Sequence, residues 1–320
     1  MNDNKNICSV NNVTKSFGDV VAVSEVTFSV TEKSITGFLG PNGSGKTTII
    51  RMLLGLTQPR TGSIELFGQN PFKSYTIKNF IGYVPEREVF LNISALDFLT
   101  SLGRYYLPRE VAHKRAIEVL EELEFQDVKN KKISQFSKGM KQQMKVAQSL
   151  IHKPKFIIAD EPFNGLDPLV RKKLFDIFRK YRQEYDTTFF VSSHILFEVE
   201  KLADQMILLY KGRSIAQGSP GRIRSLMLAQ PHAIQISSPK TKELAKVLID
   251  YSITEPSLIS SIAFSTDKVD NRDKILIETL QPKEMYRLIT DIVVDHNIIV
   301  QEVASSEEGL ENLYKLLTIG

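Results

Sequence analysis

The sequence predicts an α/β domain followed by a smaller α+β domain, and three observations support that prediction. Strand and helix signals alternate along residues 1–219, as in proteins whose parallel sheet is covered by helices. A glycine-rich segment lies between an apolar strand and an apolar helix start. A cluster of Gly, Ser and Pro at residues 218–221 interrupts this pattern, and a second rhythm follows. We therefore expect domains at residues 1–219 and 220–320.

The strands of the first domain are predicted from short apolar runs bounded by Gly or Pro. They cover residues 26–30, 35–39, 64–67, 81–84, 156–159 and 188–191, and a hairpin joins 206–210 to 214–217. The period becomes helical from about residue 92 to 150, which predicts a helical subdomain there. One further helix is indicated by an apolar stripe at helical spacing, formed by Val170, Leu174, Ile177, Phe178 and Tyr181.

The second domain shows the order β-α-β-β-α-β of a ferredoxin-like unit. After a short helix at 222–228, strands are predicted at 233–236, 261–265, 275–278 and 298–303, and helices at 241–251 and 282–294. A closing helix is predicted from the spacing of Leu310, Leu313, Tyr314 and Leu317.

Composition excludes several classes of protein. The chain is 42% apolar and 24% charged, which is typical of globular proteins and too apolar for a disordered chain. No stretch approaches the ~20 apolar residues that cross a bilayer, and no apolar segment near the N-terminus predicts a cleaved secretion signal. The single cysteine, Cys8, excludes a disulfide framework within the chain. We expect a cytosolic protein, or one attached to a membrane only through a partner.

Charge differs between the two domains. Residues 1–219 carry a net +7 and residues 220–320 a net −3. A basic first domain suits an anionic ligand, although a solvated basic surface explains the balance equally well. The acidic second domain is poorly suited to gripping nucleic acid, so no nucleic-acid partner is expected.

The strand at 35–39 runs into a segment that fits the pattern G-x-x-x-x-G-K-[ST] without a mismatch. The segment comprises Gly40, Pro41, Asn42, Gly43, Ser44, Gly45, Lys46 and Thr47, and Thr48 continues the helix. Its glycines let backbone N–H groups turn toward phosphates, and the helix N-terminus adds its dipole. Lys46 can reach the β- and γ-phosphates, and the Thr47 hydroxyl can ligate Mg²⁺. A chance glycine turn is the alternative, but the flanking strand and helix argue against it.

A second buried strand, at 156–159, ends in two acids, Asp160 and Glu161. An aspartate in that place is the second half of a P-loop nucleotide site, where it holds Mg²⁺. Glu161 is placed to polarise a water molecule. Such a pair alone is usually a solvated strand end, but together with the P-loop it predicts a catalytic site.

Five further short motifs occur in order along the first domain. They are Phe17 in the segment 15–18, Glu86 in 82–86, a loop at 136–140, a loop at 164–167, and His194 after a strand. Together with the two motifs above, they resemble the ATPase subunit of ABC transporters over residues 1 to about 220, where the two loops match the signature loop and the D-loop. Any one of these short matches is weak evidence, whereas seven motifs in order are specific. The resemblance implies the P-loop fold of ABC ATPases with a helical subdomain.

The resemblance also assigns roles to these residues. It implies that Phe17 stacks on adenine and that Ser137 and Gly139 bind a γ-phosphate held on the opposite subunit. It implies that Asp167 contacts the partner across the dimer and that His194 contacts the γ-phosphate and orients the attacking water, with Glu161 as general base. Plainer alternatives remain open: a core aromatic, helix caps at the serine and aspartate, and a structural histidine.

The sequence departs from the family pattern at three positions. Glu86 stands where most members have glutamine, and Lys138 and Met140 depart from the usual signature loop. A carboxylate can ligate Mg²⁺, so we place Glu86 with Thr47 and Asp160 at the metal. These features resemble one exporter branch whose membrane partners are separate chains, and we interpret them as branch features rather than as loss of activity.

The resemblance implies a motor subunit at the cytoplasmic face of the cell membrane, with ATP and Mg²⁺ as cofactors. Two copies, or one copy and a paralogous ATPase subunit, would close on two Mg-ATP molecules and drive a polytopic permease, in the direction of export. The second domain is expected to regulate or stabilise the dimer. The alternative is a non-transport ABC ATPase acting on ribosomes or nucleic acid. Such relatives usually carry two cassettes, a long coiled coil or zinc modules, which this sequence lacks.

Overall fold

The computed structural model describes residues 5–87, 90–228, 232–266 and 273–305. The chain divides into two compact units between Pro220 and Gly221. Among the described residues, no helix has both the length and the apolar character that a membrane span needs.

The strands of the first unit are β1 (Asn6–Phe17), β2 (Val20–Thr31), β3 (Ile35–Leu39), β4 (Thr61–Leu66), β5 (Ile81–Val84), β6 (Phe156–Ala159), β7 (Thr188–Ser193), β8 (Gln205–Tyr210) and β9 (Arg213–Gly218). Its helices are α1 (Lys46–Leu53), α2 (Ala95–Gly103), α3 (Arg109–Glu122), α4 (Lys138–Leu150), α5 (Pro168–Glu184) and α6 (Leu196–Glu200). Short 3₁₀ turns occur at Thr76–Phe80, Gln126–Val128 and Ile133–Gln135. The predicted alternation of strands and helices is confirmed, although β2 begins six residues before the prediction.

The larger sheet of this unit has the strand order β5-β6-β7-β3-β8-β9. All neighbouring pairs are parallel except β8 and β9, which form the predicted hairpin. β3, β6 and β7 are buried along their whole length, because a parallel sheet is covered on both faces. This order brings the carboxyl ends of β3, β6 and β7 to one edge.

A smaller antiparallel sheet has the order β2-β1-β4 and packs on the larger one through aromatic rings. The ring of Phe28 in β2 stacks on that of Phe190 in β7 with centroids 5.7 Å apart. Phe38 of β3 lies 4.9 Å from Phe190, and all three rings are buried. This cluster holds the smaller sheet against β3 and β7 of the larger one.

The predicted helical subdomain is observed as α2, α3 and α4. Ser94 caps α2, since its hydroxyl accepts a hydrogen bond from the Asp97 N–H at 3.1 Å. Arg115 of α3 is buried and donates to the Tyr181 hydroxyl of α5 at 2.7 Å. The subdomain is therefore tied to the helix that follows the D-loop.

Helix α7 (Pro220–Leu228) begins at the boundary between the units. The second unit continues with β10 (His232–Ser237), α8 (Thr241–Thr254), β11 (Ser261–Thr266), β12 (Asp273–Thr279), α9 (Pro282–Asp295) and β13 (Glu302–Ser305). Its antiparallel sheet has the order β11-β12-β10-β13, and α8 and α9 pack their apolar residues on it. The element order is the predicted one, and the ferredoxin-like assignment stays a prediction.

One strand of this unit was predicted too early. The predicted run at 298–303 overlaps the last strand, Glu302–Ser305, only at its final two residues. Ile298 donates its N–H to the Val293 carbonyl at 3.1 Å, so it closes α9 instead of pairing in the sheet. The predicted closing helix with Leu310 and Leu313 lies outside the described residues.

Candidate active site

The glycine-rich segment forms a loop between β3 and the N-terminus of α1. Gly45 has φ +103°, and a Cβ there would lie 2.6 Å from the Ala22 carbonyl oxygen, so a side chain is excluded on both grounds. The Lys46 ammonium folds back over the loop and donates to the Gly40 and Pro41 carbonyls at 2.6 and 3.2 Å. The segment thus joins a strand to a helix N-terminus through a glycine-rich turn, an arrangement that suits a phosphate group.

This loop borders a cavity of about 370 Å³. Most of the P-loop residues that we predicted to bind nucleotide line it: Asn42, Gly43, Gly45, Lys46, Thr47 and Thr48. Strand β2 adds Val20, Val21 and Ala22, and the segments that follow β5 and β6 add Glu86, Asp160 and Glu161. Folding thus brings the two halves of the predicted site to one cavity.

The end of β6 is held by a serine that the sequence analysis missed. Ser192 of β7 donates to Asp160 Oδ1 at 2.7 Å and accepts the Glu161 N–H at 2.9 Å. The Thr47 hydroxyl donates to Asp160 Oδ2 at 3.3 Å. Burial raises the pKa of the Asp160 carboxyl, the nearby Glu86 and Glu161 charges raise it further, and the two hydroxyl hydrogen bonds oppose the shift.

Asp160 and Thr47 suit a magnesium ion. Their oxygens lie side by side, and Mg²⁺ is usually held by one or two carboxylates together with substrate phosphates. Within residues 5–87, 90–228, 232–266 and 273–305, no three His, Cys, Asp or Glu side chains form a metal site by themselves. The donor set therefore fits a metal that arrives with a phosphate ligand. The Glu86 carboxylate borders the same cavity.

Glu161 is the most constrained residue of the site. Its backbone has φ +47°, a conformation that a non-glycine residue adopts only where the surroundings enforce it. Its carboxylate is buried, with Oε1 3.4 Å from Lys46 Nζ and Oε2 2.9 Å from His194 Nδ1. A carboxylate fixed at the cavity wall in this way is suited to accept a proton.

Phe17 lies at the end of β1 and is 51% exposed, so the alternative of a core aromatic is wrong. Lys15 Nζ lies 5.2 Å from its ring centroid. Phe17 does not line the P-loop cavity, whereas Val20 and Val21 of β2 do. Its stacking on adenine stays a prediction.

The residues predicted to act across a dimer have local roles within one chain. Ser137 caps α4, accepting the Met140 N–H at 3.2 Å, and Gly139 lies in the first turn. Asp167 caps α5 and accepts the N–H groups of the next turn at 3.0 Å. The capping alternatives are thus observed, and the roles of these residues toward a partner stay predictions.

Two polar residues of α4 hold the loops around the cavity, and neither was predicted. Gln142 donates to the Pro162 carbonyl at 2.7 Å, and Lys145 donates to the Glu86 carbonyl at 2.8 Å. Both are buried. Their burial follows from packing between distant segments, so the sequence carried no signal for them.

Comparison with known proteins agrees with this geometry. The family model described as "ABC transporter" matches residues 23–164. The chain is 39% identical over 214 residues to the bacitracin transport ATP-binding protein BcrA of Bacillus licheniformis, covering 66% of this chain and 69% of the relative. It is 34% identical over 212 residues to the Nod factor export ATP-binding protein I of Burkholderia lata, covering 65% and 69%. The solved structure of an ATP-binding subunit of an ABC transporter superposes with TM-score 0.62 at 28% identity, covering 68% of this chain and 92% of that one.

Proposed function

The chain belongs to the ABC transporter family as an ATP-binding subunit of the kind that hydrolyses ATP, and from that membership we propose that it is the motor of a two-subunit ATPase. Two copies, or one copy and a paralogue, close on two Mg-ATP molecules. They drive a separate polytopic permease from the cytoplasmic face of the membrane. Export is the direction we propose, because one relative is an export ATP-binding protein.

The position of the Glu161 carboxylate carries this proposal. It borders the cavity whose other wall is the phosphate loop, and it contacts both Lys46 and His194. Glu161 accepts the proton of the attacking water, and His194 fixes the carboxylate and contacts the γ-phosphate. Lys46 stabilises charge on the phosphates. Mg²⁺, when bound at Thr47 and Asp160 with Glu86 beside it, supplies neutralisation of the phosphate charge.

The start of α4 supports a shared site. Ser137 and Lys138 are exposed at the N-terminus of a 13-residue helix, where backbone N–H groups and the helix dipole favour an anion. A second copy can present its bound γ-phosphate there, and Lys138 adds a positive charge. We propose that Phe17 contacts the adenine, that Asp167 faces the partner, and that the second unit stabilises or regulates the dimer.

Two measurements test the proposal. The purified chain should hydrolyse ATP in the presence of Mg²⁺, and hydrolysis should stop when EDTA removes the metal. A tagged copy isolated from native membranes in mild detergent should retain a polytopic membrane protein, identified by mass spectrometry. Recovery of ribosomal proteins in place of a membrane protein would favour the non-transport alternative, and absence of Mg-dependent hydrolysis would exclude the motor function.

A further inference from the structure

Two charged residues near the catalytic glutamate have no part in the chemistry described above. Arg171 Nη1 of α5 lies 3.2 Å from Glu198 Oε1 of α6, and the glutamate is only 3% exposed. Neither residue borders the P-loop cavity. A buried carboxylate is costly unless it is paired or hydrogen-bonded, so this pair needs an explanation.

The glutamate end of the pair holds the turn that carries His194. The Ser193 hydroxyl donates to Glu198 Oε2 at 3.3 Å and accepts the Ile195 N–H at 3.0 Å. Ser193 and Ile195 are the two chain neighbours of His194. The Glu198 carboxylate is therefore linked through one hydroxyl to the backbone on both sides of the histidine.

The arginine end of the pair holds the D-loop. Arg171 Nη2 donates to the Leu166 carbonyl at 3.1 Å. The chain between Glu161 and Leu166 is compact, because the Asn164 N–H donates to the Glu161 carbonyl at 3.3 Å. A carbonyl held at Leu166 therefore restricts the segment that begins at the catalytic glutamate.

Together these contacts close a ring. It runs from Glu161 to His194 through their side chains, to Ser193, to the Glu198–Arg171 pair, and back to Glu161 through the D-loop. We propose that Arg171 and Glu198 are positioning residues that set the contact between His194 and Glu161. The inference rests on the proposed catalytic roles of those two residues. It predicts slower hydrolysis with unchanged ATP binding when the pair is broken, since the phosphate loop lies outside the ring.

The charges around Glu198 predict a change in the pH dependence of kcat, which a purely structural role of the pair would leave unaltered. Burial raises the pKa of the Glu198 carboxyl, and Arg171 is the main opposing charge; Glu161 also raises the pKa and His194 lowers it. Removing the Arg171 charge therefore raises this pKa further. Glu198 then gains a proton at higher pH, and the fall of kcat on the acid side should shift to higher pH in Arg171→Met.

The experiment compares kcat and KM for ATP in the full chain. Arg171→Met and Glu198→Gln should each lower kcat about tenfold, a typical coupling between contacting residues, with KM for ATP changed less than twofold. Arg171→Lys should restore part of kcat. In a His194→Ala background, Glu198→Gln should have no further effect, because the residue it positions is gone.

Two control variants distinguish a loss of folding from a loss of the positioning of His194 and Glu161. The double variant Arg171→Met with Glu198→Leu removes both charges and should keep the parental melting temperature within a few degrees, yet show the low kcat. Arg179→Met, on the same helix, removes an arginine that bonds the Lys201 carbonyl at 2.7 Å but lies outside the ring, and should keep the parental kcat.

An unchanged kcat in folded Glu198→Gln would overturn the inference. It would also be overturned if Glu198→Gln lowered kcat by the same factor in the parental chain and in the His194→Ala variant. A parental chain without ATPase activity would refute the proposed function itself, and this inference with it.

Discussion

Replacing Glu161 with glutamine separates nucleotide binding from hydrolysis. The side chain is buried between Lys46 Nζ at 3.4 Å and His194 Nδ1 at 2.9 Å. A glutamine keeps its size, and its carbonyl oxygen can still accept from the ammonium. Its amide group can still donate to the histidine ring if the ring changes tautomer. The P-loop contacts are untouched, so we expect ATP affinity in Glu161→Gln to equal or exceed that of the parent.

Hydrolysis should nevertheless nearly stop, because an amide cannot accept the proton of the attacking water. General-base assistance is worth roughly 10²–10⁴ in rate, which corresponds to about 3–5 kcal/mol of activation free energy. Steady-state release of phosphate measures the loss of kcat, and calorimetry with Mg-ATP measures binding. A variant that hydrolyses ATP at the parental rate would remove Glu161 from the catalytic role.

With hydrolysis blocked, the closed state holding two ATP molecules should accumulate. Size-exclusion chromatography with light scattering should show an ATP-dependent dimer of Glu161→Gln and less of it in the parent. The same variant with Ser137→Arg should stay monomeric, since a large cation at the α4 terminus blocks the partner's γ-phosphate. A dimer that persists in Ser137→Arg would contradict the shared site. If the second unit already holds the protein as a dimer without ATP, the molecular mass cannot report closure. The amount of ATP that remains bound to the protein is then measured instead.

Three other substitutions test separate parts of the structure. Glu86→Gln removes one negative charge beside the triphosphate, so calorimetry should show an ATP affinity equal to or slightly above that of the parent. Hydrolysis should be at least partly retained, and complete loss of turnover would make Glu86 an essential acid. A shortened chain of residues 1–219 contains every predicted nucleotide-binding residue and should bind Mg-ATP in the calorimeter; a folded chain without binding would mean that the domain boundary is wrong. Arg115→Leu leaves Glu122 and the Tyr181 hydroxyl without their buried cation, so it should lower the free energy of unfolding of the first unit by about 3 kcal/mol, measured with urea. The control Arg109→Leu, at the exposed start of the same helix, should leave that free energy nearly unchanged.

The local order of the elements and the identity of the nucleotide loop were predictable from the sequence. A strand that ends in a glycine-rich turn, and a lysine at the start of the next helix, depend on neighbouring residues, so the sequence located Gly45, Lys46 and Thr47 between β3 and the first turn of α1. Asp160 and Glu161 could be located at the end of β6 for the same reason, since an apolar strand leads directly into them. The roles of these residues toward a nucleotide stay predictions. The strand predicted at 298–303 begins too early because Ile298 is apolar in a strand and at a helix end alike. Periodicity does not reveal that its N–H closes α9.

Only the tertiary structure decided which of these segments meet. The sheet order places β6 beside β7 and β7 beside β3, which brings Ser192 to Asp160 and His194 to Glu161. Strand order depends on packing between segments far apart in the chain, and it leaves no period in the sequence. The pairing of Arg171 with the buried Glu198 was invisible for the same reason. Each residue alone has the pattern of a solvated helix position, and their contact follows from the approach of α5 to α6 in the folded chain.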